Sequence, residues 1–242
     1  MARRYPAWAP LLTWPLCPVY AWQGIATRLR TERLPPPSDS PSGRIEGEGA
    51  PFRLLVLGDS SAAGVGVESV RESLAGHLSV MLAERTGRPV VYRAAGANSA
   101  IAAHVRDHVL PHVEPRDWTH VVLSLGTNDM KNFHSLVRFK RDFGTLVYAV
   151  RTRFPEARIY WPEMIDMRHV PAMPWALARI LDIRADAFNA KAARLCRERG
   201  ACLVPALDDI QPEGFSRDGF HASAAGYRAW AEKLAGVILA DG

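Results

Sequence analysis

Ser60, Asp218 and His221 are residues of the types that together make a serine hydroxyl nucleophilic. A serine attacks a carbonyl carbon only when a base takes its proton. Histidine suits that role because its ordinary pKa lies near neutrality. The histidine also needs a carboxylate that fixes its tautomer and stabilises its charged form. Asp218 precedes His221 by three residues, so their side chains can face each other across one turn.

Attack on an ester would leave a negative charge on the carbonyl oxygen, and that charge needs fixed hydrogen-bond donors. The candidate donors are the backbone N–H groups of Ser60 and Gly96 and the side-chain amide of Asn128. Glycine at position 96 would allow the backbone to approach a substrate closely. The chain thus offers each group type that acyl transfer requires.

The Gly-rich stretch after Ser60 could instead bind phosphate, but its pattern fits poorly. Gly64 and Gly66 are not followed by the Lys and Ser/Thr of a P-loop, and Ser69 stands where a dinucleotide fingerprint needs its third glycine. His104 and His108 have metal-ligand spacing without an evident third ligand. We therefore expect no nucleotide, no metal and no other cofactor.

The candidate residues follow strands of a predicted α/β domain, so the fold would bring them together. Apolar runs predict five strands at residues 52–58, 88–96, 119–126, 157–162 and 201–206. Helical periodicity predicts five helices at residues 69–86, 99–110, 135–153, 175–199 and 223–239. This alternation predicts a parallel sheet covered on both faces. Ligands of such sheets bind at the carboxyl ends of the strands, which is where the candidate residues lie.

Four short segments resemble, in order, the sequence blocks of the SGNH (GDSL) hydrolase superfamily. They are Gly58-Asp59-Ser60, Gly96, Gly126-Thr127-Asn128-Asp129 and Asp218-Gly219-Phe220-His221. The resemblance covers residues 52–239. It implies a three-layer α/β/α sandwich with a flavodoxin-like, five-stranded parallel sheet. It also implies metal-free hydrolysis through a serine acyl-enzyme.

The resemblance narrows the function without fixing the substrate. The superfamily acts on lysophospholipids, thioesters, aryl esters and acetylated sugars, and the lipolytic or thioesterase-like branch is the nearest. We expect a serine hydrolase of small-molecule carboxylic esters or thioesters. The alternatives are a carbohydrate O-deacetylase and a non-catalytic binding domain on the same fold. Two departures are Ser61, where the family has Leu, and Ser99, which could replace Gly96 as an oxyanion donor.

The segment "MIDMRHVPAMPW" (164–175) follows the fourth predicted strand on the active-site edge. Met164, Met167, Met173 and Trp175 could line an acyl pocket, because thioethers adapt to irregular ligands. Phe133 could supply another apolar wall. The competing interpretation is that these residues only pack the loop onto the domain.

The N-terminal region differs in composition from the rest of the chain. Residues 7–26 carry no charge and are interrupted by prolines, and residues 35–43 read as a Pro/Ser-rich linker. We therefore expect an apolar arm and linker over residues 1–50 and a hydrolase domain over residues 51–242. The arm either folds back over the domain or contacts a membrane interface, since its Trp and Tyr residues favour that interface. No small-x-small cleavage site follows it, so we expect no cleavable signal peptide and a cytoplasmic or membrane-associated protein.

Bulk composition excludes several other classes. The 242 residues carry a net charge of +5 without a basic block or a basic-aromatic stripe, so no nucleic-acid partner is expected. Three cysteines do not make a disulfide framework.

Overall fold

The computed structural model describes residues 4–241, which form six strands and seven α-helices. The strands are β1 (Ser42–Ile45), β2 (Phe52–Gly58), β3 (Val90–Gly96), β4 (His120–Ser124), β5 (Arg158–Pro162) and β6 (Cys202–Val204). The helices are α1 (Cys17–Arg30), α2 (Leu74–Thr86), α3 (Ala102–His104), α4 (Thr127–Lys131), α5 (Leu136–Arg153), α6 (Trp175–Arg199) and α7 (Ala224–Asp241).

The strands form one sheet in the order β1-β3-β2-β4-β5-β6. The last five are parallel, and their order is that of the flavodoxin-like fold. The predicted parallel sheet is therefore confirmed. It also has a sixth strand, β1, which pairs antiparallel with β3 at one edge. The sequence did not indicate β1, because this short edge strand has no buried apolar run and no buried residue.

Helices cover both faces of the sheet, and strand β2 shows how the sequence encodes this. Leu55 and Leu57 enter the core that also contains residues of α5 and α6, whereas Leu54 and Val56 enter the core formed with α2 and α7. All four side chains are fully buried, as a strand covered on both faces requires.

The helix predicted over residues 99–110 is shorter and less regular than expected. Ser99 has a φ of 60°, in the left-handed region, and the helix begins only at Ala102. It continues as a π-turn over Val105–Val109 and a 3-10 turn over Leu110–His112. Pro111 cannot donate the N–H that a continuing helix would need.

The N-terminal arm packs on the side of α6. Arg4 forms ion pairs of 2.7 Å with Asp166 and Asp182, and Leu177 N–H donates to Gln23 Oε1 at 2.9 Å. These contacts hold the arm against the domain, and contact of the arm with a membrane interface stays a prediction. Within residues 4–241 no helix has the length and apolarity that crossing a bilayer requires.

Candidate active site

Ser60, His221 and Asp218 meet at the carboxyl end of the sheet. His221 Nε2 lies 3.0 Å from Ser60 Oγ, and His221 Nδ1 lies 2.5 Å from Asp218 Oδ2. A carboxylate can only accept a hydrogen bond, so the imidazole proton belongs on Nδ1. The lone pair of Nε2 then faces the hydroxyl of Ser60. This arrangement can remove the serine proton during attack on a carbonyl.

A tight turn over residues 215–222 holds the Asp218–His221 pair. Ser216 N–H donates to the His221 carbonyl at 2.7 Å, and Gly219 turns the chain with a φ of 65°. Asp218 Oδ1 accepts bonds from Ser216 Oγ and from the N–H groups of Phe220 and His221, at 2.8–2.9 Å. Burial raises the pKa of Asp218, but the bonds from His221, the backbone and Ser216 outweigh it and hold that pKa well below its usual range. Asp218 therefore stays ionised beside the imidazole. No sequence pattern indicated the support from Ser216.

The loop after β2 presents Ser60 to this turn. Gly66 has a φ of 109°, and a Cβ there would lie 2.2 Å from the Ala222 carbonyl oxygen. Only glycine allows the loop to approach the turn so closely. The buried Tyr227 hydroxyl donates to the Val65 carbonyl at 2.7 Å, which ties the loop to α7.

Ser61, the departure from the family pattern, has a structural partner. Its N–H and Oγ both donate to Asp59 Oδ1, at 3.0 and 2.8 Å, and its Oγ lies 2.5 Å from Ser124 Oγ. Ser61 therefore faces Asp59 and β4, while Ser60 faces the imidazole. Burial raises the pKa of Asp59, and the bonds from Ser61 oppose that shift.

Asn128 follows β4 at the start of α4 and is buried. Its Nδ2 donates to the Ala100 carbonyl at 2.9 Å and to Asp59 Oδ2 at 3.3 Å. Both amide hydrogens therefore have partners. The bond to Asp59 is the longer, and it is the one that an incoming oxyanion could replace.

Gly96 ends β3 beside the loop that follows β2 and carries Ser60. A Cβ at this position would lie 2.3 Å from the Asp59 carbonyl oxygen and 2.4 Å from the Ala63 nitrogen. Ala97 N–H donates to the Gly58 carbonyl at 3.2 Å, so the two loops are joined by backbone. The structure therefore gives Gly96 a close-packing role. Its role as an oxyanion donor stays a prediction.

Asp129, the last residue of the third sequence block, forms a buried pair with His134. Asp129 Oδ1 and His134 Nδ1 are 3.4 Å apart, and neither has a hydrogen-bond partner among the described residues. Burial raises the pKa of Asp129 to about 7, although the Ala102 N–H that donates to it opposes the shift. Burial also lowers the pKa of His134. Both shifts favour the neutral forms.

Comparison with known families supplies the decisive observation. The model of the GDSL-like Lipase/Acylhydrolase family matches residues 56–229. The chain belongs to this family. Membership makes it a hydrolytic enzyme and confirms the resemblance drawn from the four sequence blocks.

Solved structures share the fold at low sequence identity. The psychrotrophic esterase EstA from Pseudoalteromonas sp. has 17% identity and a TM-score of 0.59, with 77% of this chain and 96% of that chain covered. The carbohydrate acetylesterase Est24 from Sinorhizobium meliloti has 16% identity and a TM-score of 0.61, with 79% and 100% covered. The aryl esterase of M. smegmatis has 16% identity and a TM-score of 0.60, with 78% and 99% covered. No curated protein sequence matches this chain.

The hydrolase has a cavity of about 300 Å³ that opens beside Ser60 and His221. Much of its wall is apolar and consists of Leu125, Met164, Ile165, Met167, Val170, Leu207, Ile210, Phe215, Phe220 and Trp230. The wall also contains the polar residues Glu163, Asp209, Gln211 and Glu213. Met164 and Met167 thus line this cavity, and their contact with an acyl chain stays a prediction.

Three other residues that we expected in the pocket do not belong to its described wall. Phe133 stacks under the Arg184 guanidinium at 3.9 Å and contacts the rings of Trp14 and Tyr20 in the arm. Met173 packs against the core, and Trp175 is exposed at the start of α6. The arm occupies the surface next to Phe133, which sequence periodicity could not indicate.

Proposed function

We propose that this hydrolase cleaves carboxylic esters or thioesters through an acyl-enzyme on Ser60. The observation that carries the proposal is the 3.0 Å contact of Ser60 Oγ with an imidazole whose other nitrogen is bound to Asp218. That contact lies in the wall of a largely apolar cavity. An acyl chain could therefore occupy the cavity with its carbonyl carbon beside Ser60.

The proposed reaction has two halves. As Ser60 Oγ bonds to the carbonyl carbon, its proton passes to His221 Nε2, and the carbonyl oxygen becomes an oxyanion. The bond to the leaving oxygen or sulfur then breaks, and His221 gives its proton to that atom. Water enters, loses a proton to His221 and attacks the acyl carbon. Release of Ser60 with the proton from His221 regenerates the enzyme and frees the acid.

The oxyanion would be held by the N–H of Ser60, the amide of Asn128 and the N–H of Gly96. The Asn128 amide can reach it by exchanging its 3.3 Å bond to Asp59. Because such donors act on charge that develops in the transition state, their loss should lower kcat more than it changes KM.

The cavity volume of about 300 Å³ lies at the small end of ligand sites, which run from about 300 to 1,000 Å³. We therefore infer a preference for short or medium acyl chains. An O-acetylated carbohydrate is the second candidate, because Asp209, Gln211 and Glu213 could bind sugar hydroxyls.

Hydrolysis of p-nitrophenyl esters from acetate to palmitate, with an acetylated sugar alongside, tests the proposal. Wild type should hydrolyse the shorter esters, and Ser60→Ala should lose this activity. Ser61→Ala is the matched control, since Ser61 faces Asp59 rather than the imidazole. A fluorophosphonate should modify Ser60 in wild type and in Ser61→Ala. An adduct on Ser61, or equal activity of wild type and Ser60→Ala, would overturn the assignment. Acetyl-sugar activity without p-nitrophenyl ester activity would favour the second candidate.

A further inference from the structure

Helix α1 turns four of its apolar residues toward solvent, whereas Tyr20 and Gln23 on its other face contact the protein. Val19, Trp22, Ile25 and Leu29 recur at helical spacing and are all exposed, Trp22 by 77% and Leu29 by 81%. The face that contacts the domain instead carries Gln23, which accepts from Leu177 N–H. A surface helix of a globular protein ordinarily has the opposite arrangement. The exposed apolar residues of α1 therefore need a binding partner other than this domain.

Exposed apolar residues also occur outside α1. Of the thirteen large hydrophobic residues that are exposed among the described residues, nine lie between Trp8 and Leu29. They are Trp8, Leu11, Leu12, Trp14, Leu16, Val19, Trp22, Ile25 and Leu29. Trp175 joins them at the start of α6, two residues from the Leu177 N–H that binds Gln23. We name these ten residues the arm surface. Exposed apolar patches of this kind mark interaction sites.

Positive charge borders the arm surface. Arg28, Arg30 and Arg33 are exposed at the end of α1 and just after it. The only acidic residue between positions 4 and 34 is Glu32, and it is paired with Arg217 at 3.1 Å. An apolar face with tryptophans and a basic border has the composition of elements that lie in the interface of an anionic bilayer.

The arm surface also lies near the mouth of the active site. Glu32 binds Arg217, the neighbour of the catalytic Asp218. Lys131 lies over the ring of Phe220 at 4.8 Å, in the cavity wall next to His221. Trp14 of the arm surface contacts the ring of Phe133, which follows Lys131 by two residues, so the arm lies close to the same rim.

We propose that the arm surface docks this enzyme in the plane of an anionic lipid membrane. The tryptophans would sit at the headgroup level, the aliphatic side chains would enter the acyl boundary, and the three arginines would meet lipid phosphates. Prolines at positions 10, 15 and 18 break the arm, so it lies on the interface rather than crossing it. Docking would hold the cavity mouth close to membrane-borne esters. That consequence rests on the proposed ester hydrolysis, whereas docking itself does not.

Vesicle flotation of the Ser60→Ala protein tests docking without any turnover. The protein should float with vesicles of phosphatidylcholine and phosphatidylglycerol and float less with phosphatidylcholine alone. Trp22→Ser/Leu29→Ser should weaken binding by about a hundredfold, since each lost apolar contact is worth about tenfold. The matched control is Val137→Ser/Tyr148→Ser, which removes exposed apolar residues on α5. It should bind as the Ser60→Ala parent does.

Two results would overturn the proposal. One is equal flotation of the arm and control variants. The other is a concentration-dependent dimer in analytical ultracentrifugation that Trp22→Ser/Leu29→Ser dissociates, because the surface would then join two copies of the chain. With Ser60 intact, the arm variant should still hydrolyse a soluble p-nitrophenyl ester as wild type does. Loss of vesicle binding with that activity retained separates docking from the proposed function.

Discussion

Two parts of the site differ in their hydrogen bonds and in the pKa shifts of their carboxyls. They are the Asp218–His221 pair, called the base side, and Asn128 with its neighbours Asp59 and Asp129, called the Asn128 side. On the side of the base, the carboxyl oxygens of Asp218 are bound by His221, Ser216 and the backbone, and its pKa is held low. On the side of Asn128, the amide is bound to Asp59 and Ala100, and burial raises the pKa of both Asp59 and Asp129. The Asp218–His221 side already has the hydrogen bonds that the proposed base requires. The Asn128 side holds its groups in place but must exchange a bond before it can stabilise an oxyanion.

This difference has a consequence for pH dependence. A carboxyl whose folded pKa is lowered, such as Asp218, adds stability that is present above the unfolded pKa of about 3.9 and is lost as the pH falls through the folded pKa. A carboxyl whose folded pKa is raised, such as Asp129, binds its proton more tightly in the native state. Stability therefore falls as the pH rises from about 4 to about 7. The two sides thus oppose each other in their response to pH.

The largest loss of activity is expected from Asp218→Asn, which changes the hydrogen bond that fixes the tautomer of His221. An amide nitrogen facing Nδ1 would donate, so the imidazole proton would move to Nε2 and the base would be lost. We expect kcat for a p-nitrophenyl ester to fall by about 10³–10⁴. Asp208→Asn, which alters an exposed carboxylate paired with Lys233, is the control and should leave kcat unchanged. A loss below tenfold in Asp218→Asn would show that Asp218 does not orient His221.

The next-largest loss of activity is expected from Asn128→Ala, on the Asn128 side of the site. This change removes the proposed oxyanion donor and should lower kcat by about 10²–10³ with little change in KM. Steady-state kinetics would separate the two constants, and the exposed Asn98→Ala is the control. If Asn128→Ala kept its kcat, the amide would be a structural tie between Asp59 and Ala100 and nothing more.

A smaller loss of activity is expected from Gly96→Ala, which would displace the loop that carries Ser60. The new Cβ would meet the Asp59 oxygen at 2.3 Å and the Ala63 nitrogen at 2.4 Å, and backbone must shift to admit it. A displacement of about 1 Å can cost about a hundredfold in rate, so we expect a fall in kcat of about 10- to 100-fold. Gly236→Ala on α7 is the matched control, since nothing lies within 4 Å of its Cβ. Equal rates for both variants would deny Gly96 any role in placing Ser60.

The sequence predicts the base side better than the other parts of the site. Ser60 and His221 follow from residue type and strand ends, because parallel strands gather their carboxyl ends at one edge. Ser216 and the contact of Ser61 with Asp59 depend on turn geometry, which no periodicity reports. Sequence reasoning left open whether Trp175 lines the acyl pocket or packs the loop onto the domain. It is exposed at the start of α6, because a loop's apolar residues can face either the cavity or the surface.

The Asp129–His134 pair provides the smallest and most specific test of the difference between the two sides. In Asp129→Asn, the amide oxygen can take the place of Oδ2 and accept from Ala102 N–H. The amide nitrogen can take the place of Oδ1 and donate to His134 Nδ1, which has no partner among the described residues. The buried charge that forms above about pH 7 is absent. We therefore expect the variant to be more stable than wild type at pH 8 by about 4 kcal/mol, with the advantage fading toward pH 4.

Urea unfolding across that pH range would measure the difference, with the exposed Asp117→Asn as control. Parallel pH profiles for Asp129→Asn and wild type would mean that Asp129 titrates as an ordinary carboxyl in the folded protein. Asp129 on the Asn128 side would then resemble Asp218 on the base side, since both carboxyls would be ionised at neutral pH. If instead the free energy of unfolding loses its pH dependence only in Asp129→Asn, the stability loss between about pH 4 and pH 7 comes from this one buried carboxyl.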